Sequence, residues 1–491
     1  MGKGEAGPVG QKLAIALAFG SSAAVMVLEL VSLRLVAPYI GLTLETNTAV
    51  IGVALAAIAT GAALGGRFAD VVPPQRTLGP LLLFGGALVM LILPVVRWTG
   101  QALARDASDL VFLVLAVTLF APASLLAAVT PMVTKLRLAT LEQTGTVVGR
   151  LSAYATVGGI VGTVLTGFVF VATVPISTIV LTLGAVLVVV GAALTLLLRG
   201  VQAAVKPVAL ALIGATLTVV APRPCEVETA YHCARVGADP DRESGRTLYL
   251  DETRNSYVDL KDPTYLQFEY IKSFAAAING SWPEGRRLDA LHIGGGGLTM
   301  PRYLTATRPG TKNQVYEIDR AVVELDKREL GVRTGPDLAV TVKDGRLGVR
   351  SEATDSRDLI IMDAFSGLAV PWHLTTRELI TDVRRVLRPD GVYLINVIDN
   401  GKALFAKAEI KTVQAVFPYV AVIARKDELA GQSGGNFVVV ASDRPIAVPA
   451  IAGRLEPNME LSDQPAGFVG DAPVLTDDYA PVDQLLTTYS S

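Results

Sequence analysis

The apolar positions of this chain fall into two regimes. Up to about residue 221 they form near-continuous runs, at 13–33, 48–66, 78–96, 110–130, 151–171 and 176–198, with a shorter seventh at 207–221. A helix needs about 20 apolar residues to cross a bilayer. The pattern therefore predicts a membrane α-helical bundle of about seven spans. Beyond it, the apolar runs shorten to strand length and alternate with stretches of helical period.

In that second regime, residues 247–251 (TLYLD) and 255–260 (NSYVDL) predict a β-hairpin, and 265–278 a helix. Strands follow up to Ile293 and over 315–318, 339–342, 359–362 and 392–397, with helices at 321–330, 376–387 and 403–416. Strands at 420–424 and 437–441 read as an antiparallel hairpin at the sheet edge. Such alternation predicts a mostly parallel α/β sheet with helices on both faces. The expected domains are 1–222, a multi-span transmembrane domain, and 223–491, a nucleoside-binding domain.

Composition sharpens the division. The 491 residues are 51% hydrophobic, with mean hydropathy +0.46, which is not the profile of one soluble domain. Through Pro222 there are 12 Lys+Arg and 7 Asp+Glu; beyond it there are 31 and 38. An acidic C-terminal part argues against a nucleic-acid partner and suits a cationic small molecule. The bilayer is the expected partner of the N-terminal part, and a cell-membrane, multi-pass location follows. Seven spans with the N-terminus inside put nine Lys/Arg of the short loops on the cytoplasmic side and Arg34, Arg97 and Arg105 outside. That bias carries the C-terminal part out of the cytoplasm.

The two cysteines, Cys225 and Cys233, lean the same way, since an oxidising compartment would join them in a short-loop disulfide. Two unrelated buried thiols are the alternative. With His232 they make a poor tetrahedral set, so no metal is expected. Glu29, inside the first apolar run, is either a functional ionisable group or a partner for Arg34. Gly61/Gly65 and Gly158/Gly162 either mark close helix packing or are ordinary small-residue content.

Candidate chemistry concentrates in 288–319, LDALHIGGGGLTMPRYLTATRPGTKNQVYEID. Four glycines (Gly294, Gly295, Gly296, Gly297) leave a strand, and Glu317 stands at the tip of the next, 20 residues after Gly297. Glycines let backbone approach a ligand, and an acid at that spacing takes two ribose hydroxyls. Asp344, followed by Gly345, and Asp363 end the next two strands. Each acid alone could be a helix N-cap; three on successive strand tips indicate a nucleoside site.

Together the segments HIGGGG, VYEID, VKDG, DLIIMDAFSG and LTDDYAPVDQLL resemble the spermidine synthases, over about residues 247–486. The whole chain resembles the bacterial form fused to an N-terminal multi-span membrane domain. The resemblance implies a class I methyltransferase-like (Rossmann-like) sheet with an N-terminal β-hairpin, and no permanently bound cofactor. Decarboxylated S-adenosylmethionine, or S-adenosylmethionine, would be the co-substrate. Glu317 would hold its ribose, Asp344 with Gly345 its adenine, and the glycines its sulfonium end. Asp363 would be the general base toward a small-molecule amine, as in putrescine to spermidine. A homo-oligomer is a further expectation.

The departures from the family pattern are specific. Gly297 stands where the family carries an acid, and Ser366 where a second acid follows the base. Tyr257-Val258 replaces one Tyr-Gln pair, and Gln267-Phe268 before Glu269 replaces another. Tyr257, Gln267, Ser366 and Tyr479 are the substrate-side candidates. His292 reads as structural. His373 reads as a pocket-lining residue or a solvated loop residue. Two other readings remain open: methyl transfer from S-adenosylmethionine to a membrane-delivered acceptor, and a non-enzymatic transporter or receptor. The latter draws on GGRFADVVPPQR at 65–76, which is similar to the loops of major-facilitator transporters.

Overall fold

The long apolar runs become long helices. In the computed structural model, described for residues 10–40, 44–103, 108–138, 144–199, 205–221, 225–251, 253–365 and 370–486, the chain divides into two units, Met1–Ala230 and Tyr231–Ser491. The first holds α1 (Gln11–Ile40), α2 (Leu44–Val71), α3 (Pro74–Leu103), α4 (Ser108–Ala127), α5 (Val129–Arg137) and α6 (Thr144–Leu165). A π turn (Thr166–Phe170) continues α6 into α7 (Val171–Thr173), followed by α8 (Ile176–Arg199), α9 (Val205–Val220) and a two-residue strand, β1 (Val227–Glu228).

Six helical stretches among the described residues are long and apolar enough to cross a membrane. The expected seventh differs. Helix α9 has 16 residues, so it rises about 24 Å against a hydrocarbon core of about 30 Å.

The small residues have a packing role. A Cβ at Gly61 or Gly65 would run into Ser124 or Ala128, and one at Gly158 or Gly162 into the backbone of Phe19 or Ala23. Close crossings of α2 with α4 and of α1 with α6 therefore need glycine, which excludes the reading as incidental composition. Asp70, from the 65–76 segment, is ion-paired with Lys135 at 2.6 Å. Glu228 joins Arg97 at 3.0 Å with the Ser177 amide and hydroxyl at 3.0 and 2.9 Å.

The second unit opens with an antiparallel meander of β2 (Cys233–Ala238), β3 (Gly245–Leu250) and β4 (Thr253–Asp259). The expected hairpin is present as β3 and β4. Next come α10 (Glu269–Ser281), β5 (Asp289–Ile293), α11 (Thr299–Thr307), β6 (Lys312–Glu317), α12 (Arg320–Glu329), β7 (Leu338–Val342) and α13 (Gly345–Ser351). Then follow β8 (Arg357–Met362), α14 (Arg377–Val386), β9 (Leu387–Asp399), α15 (Leu404–Gln414), β10 (Tyr419–Arg425), β11 (Gly435–Ser442) and β12 (Met459–Ser462).

The large sheet runs β12-β10-β11-β9-β8-β5-β6-β7. Strands β7, β6, β5, β8 and β9 are parallel; β11, β10 and β12 are paired antiparallel. The β10/β11 hairpin is therefore internal, because β12 takes the edge beyond β10. This eight-stranded sheet is the expected Rossmann-like, methyltransferase-type α/β architecture.

Successive strand residues serve opposite cores, as the two-residue period requires. Leu291, Ile293, Ile360 and Met362 face Leu379, Val383 and Phe405. Ala290, Leu359 and Ile361 face Phe274, Ile278 and Leu304. His292 is buried with its Nε2 3.0 Å from Asn313 Oδ1, and burial pushes its pKa down to about 4. It is a neutral core residue.

Candidate nucleoside and acceptor site

The site begins where β5 ends. Gly294 and Gly297 have φ of +95° and +71°, a region that disfavours side chains. A Cβ at Gly294 would strike the Asp363 carbonyl oxygen, at Gly296 the Asn255 side chain, and at Gly297 the Ser256 hydroxyl. Part of the glycine run thus serves to seat the loop on β4. Thr299 Oγ1 reinforces that seat by donating to the Tyr257 carbonyl at 3.0 Å.

Glu317, at the tip of β6, fastens the loop from the other side. Its Oε2 accepts the Gly295 amide at 2.7 Å and its Oε1 the Asp319 amide at 2.8 Å. A carboxylate oxygen has two lone pairs, so each oxygen retains capacity for a hydroxyl. Burial raises the Glu317 pKa above the ordinary carboxylate value, more than the two amides lower it. Asp326 on α12, which the sequence reading passed over, accepts the Gly297 amide at 3.0 Å. Its other oxygen is buried without a hydrogen-bond partner, and burial pushes its pKa well above the usual range.

Asp344 follows β7 and caps α13, accepting the Leu347 amide at 3.0 Å. Its second oxygen is 2.9 Å from His373 Nε2. Burial alone would raise the Asp344 pKa, but the amide and His373 hold it below the ordinary value. Gly345 is buried, with no room for a Cβ beside Ile293. Next in sequence, Arg346 grips Asp477 through two nitrogens at 2.7 and 2.5 Å. That pair ties the LTDDYAP segment to α13.

Asp363 leaves the end of β8. Its amide donates to the Ile293 carbonyl at 2.9 Å, placing it beside Gly294. The carboxylate accepts the Tyr270 hydroxyl at 3.0 Å and the Asn396 amide nitrogen at 2.9 Å. Burial raises its pKa, and those two donors only partly offset the rise. In front of it lies a cleft of about 670 Å³ lined in part by Gln267, Phe268, Tyr270, Phe365 and Asn396.

The other sequence candidates disperse. Gln267 lines the cleft. Tyr257 instead donates its hydroxyl to Asp239 at 2.6 Å, away from the residues that line it. Tyr479 is 63% exposed. Ser366 lies outside the described residues. Cys225 and Cys233 are both disulfide-bonded, which excludes two unrelated thiols. No cluster of potential metal ligands occurs among the described residues. Tyr270 and Asn396 were missed, although an asparagine inside the apolar run VYLINV was a visible signal: buried polar groups need partners.

The fold and site define a methyltransferase-type α/β domain with a glycine loop, Glu317 and Asp363 on adjoining strand ends. No family model matches the chain. It is 26% identical to the polyamine aminopropyltransferase of Vibrio vulnificus over 139 residues, 28% of this chain and 46% of that protein. It is also 26% identical to the polyamine aminopropyltransferase of Chromobacterium violaceum over 197 residues, 40% of this chain and 72% of that protein. A probable spermidine synthase from Corynebacterium glutamicum aligns with TM-score 0.49 and 28% identity, covering 52% of this chain and 96% of that one. The chain thus spans about half the length of the first of these relatives. Its second unit is similar to polyamine aminopropyltransferases, and the chain carries in addition an N-terminal set of apolar helices.

Proposed function

We propose that this chain is a membrane-bound transferase that moves an aminopropyl group from decarboxylated S-adenosylmethionine to an amine. The observation that carries the reading is Asp363, held between Tyr270 and Asn396 beside the glycine loop that Glu317 fastens. Glu317 would take the ribose hydroxyls, and Asp344 with Gly345 the adenine edge. The acceptor nitrogen forms a bond to the aminopropyl carbon next to sulfur. The carbon–sulfur bond breaks, its electron pair stays on sulfur, and methylthioadenosine leaves.

Asp363 accepts the proton that the attacking amine gives up. A raised pKa makes it a stronger base than an exposed carboxylate, and its two hydrogen-bond donors fix its direction. Release of methylthioadenosine by the full-length protein, measured by mass spectrometry, tests the reading. Asp363→Asn is expected to abolish that release, and unchanged turnover would remove the base assignment.

A second reading is methyl transfer from S-adenosylmethionine to a membrane-delivered acceptor. It is favoured by Gly297, which leaves no acid to repel the carboxylate of that donor. Its product is S-adenosylhomocysteine, so one chromatogram separates the two. The paired cysteines support an extracytoplasmic C-terminal unit, in which case the donor has to reach it from the cytoplasm. The loop-charge bias gives that side only for seven crossings, and six from an N-terminus inside put the unit in the cytoplasm.

A further inference from the structure

We propose that the acceptor is an amine that also carries an anionic group, and that Arg254 receives that group. The inference rests on the aminopropyl-transfer reading above and adds the chemistry of its acceptor. Five charged side chains line the cleft in front of Asp363: Arg254, Glu269, Asp363, Arg425 and Glu428.

Four of them are engaged. Glu269 accepts two nitrogens of Arg425 at 2.8 and 2.6 Å through one oxygen, and Asn458 at 3.0 Å through the other. Glu428 is only 4% exposed and accepts the Arg425 amide at 2.8 Å. Asp363 holds Tyr270 and Asn396. Arg254 is exposed on β4 and has no carboxylate within ion-pair distance among the described residues. Its guanidinium lies 5.2 Å from the Phe268 ring.

A guanidinium resting over an aromatic face keeps its N–H edge free, and that edge matches a carboxylate or phosphate. A diamine carries positive charge at both ends. Once one end is at Asp363, the other meets Glu269 already paired with Arg425, Glu428 buried against the Arg425 amide, and a cation at Arg254. An amine with a distant anion fits both ends, its nitrogen toward Asp363 and its anion toward Arg254. An ω-amino carboxylic acid has this chemistry, and so does an aminoalkyl phosphate, including a lipid ethanolamine phosphate. The anion takes no part in the bond changes set out above.

The test uses the full-length protein in nanodiscs with decarboxylated S-adenosylmethionine and reads methylthioadenosine. The acceptors are 1,5-diaminopentane, 5-aminopentanoate, phosphoethanolamine, and phosphatidylcholine vesicles with or without phosphatidylethanolamine. We expect an anion-bearing amine to exceed the diamine by about tenfold or more in kcat/KM. Arg254→Ala should erase that advantage through KM while diamine turnover stays within about twofold, and Arg254→Glu should favour the diamine. Turnover of soluble amines alone identifies a free metabolite, and turnover with the ethanolamine vesicles alone a lipid.

Equal or better use of the diamine by the unaltered protein, with Arg254→Ala affecting all acceptors alike, overturns the proposal. Should no acceptor release methylthioadenosine although the donor binds, the aminopropyl reading fails on its own. Calorimetry with the same soluble acceptors then decides the role of Arg254. A preference for the anion-bearing amine that Arg254→Glu abolishes upholds it, and no preference sinks it.

Discussion

Asp344 Oδ2 and His373 Nε2 lie 2.9 Å apart, so the carboxylate expected to meet an adenine amino group is already held by a side chain of its own protein. The low pKa of Asp344 keeps it ionised across the neutral range, and a ligand must share or displace the imidazole. His373→Ala is expected to tighten methylthioadenosine binding about five- to tenfold, the worth of one hydrogen bond to a charged group. Titration calorimetry reads this directly. A weaker complex would instead make His373 a ligand contact.

The raised pKa of Asp363 gives a signed prediction. The reaction needs the ionised form, so kcat/KM should rise with pH and level off above a value higher than that of an ordinary aspartate. For stability the sign is opposite. The folded chain binds this proton more tightly than the unfolded chain, so stability falls as pH climbs from about 3.9 through the raised value. Asp363→Asn should therefore lower turnover by about a hundredfold or more while raising Tm at neutral pH, with the Tm gain vanishing in acid.

Asp326 should behave as a positioning residue for the glycine loop. Asp326→Asn keeps an acceptor for the Gly297 amide and should bind nucleoside nearly as the unaltered protein does. Asp326→Leu leaves that amide unpaired in a buried place, at about 1–3 kcal/mol. It should lower both Tm and nucleoside affinity. Equal affinity in the two variants would remove the positioning role.

The bonded cysteines predict that intact cells give no maleimide labelling at Cys225 or Cys233 until a reductant is added. Opening a loop this short should cost about 2–3 kcal/mol of stability. Labelling without reductant would return the C-terminal unit to a reducing compartment, where adenosyl donors are at hand.

Much of this architecture was legible because it repeats simple periods. The apolar runs of the first unit, the alternation from β5 to β9, and the acids at successive strand ends all register in one dimension. Strand β12 did not, since MELS is too short and mixed to stand out, and it displaced the β10/β11 hairpin from the sheet edge. Helix α9 looked like a span by composition and falls short by length. The positions of Glu317, Asp344 and Asp363 at or just past successive strand ends could be read from the alternation. Tyr270 and Asn396 reach Asp363 from 93 and 33 positions away, and no local pattern encodes such a meeting. The Tyr257 hydroxyl goes to Asp239 in the same meander, a pairing the strand pattern does not encode.

The clasp between Arg346 and Asp477 also has a bearing on biosynthesis. The two residues are separated by 131 positions, and Asp477 is translated long after the apolar helices. Until it emerges from the ribosome, α13 lacks this anchor. Synthesis of the apolar helices of the first unit therefore precedes closure of this clasp, and the strand ends that carry Asp344 and Asp363 are fixed in place only after the last segment of the chain has been made.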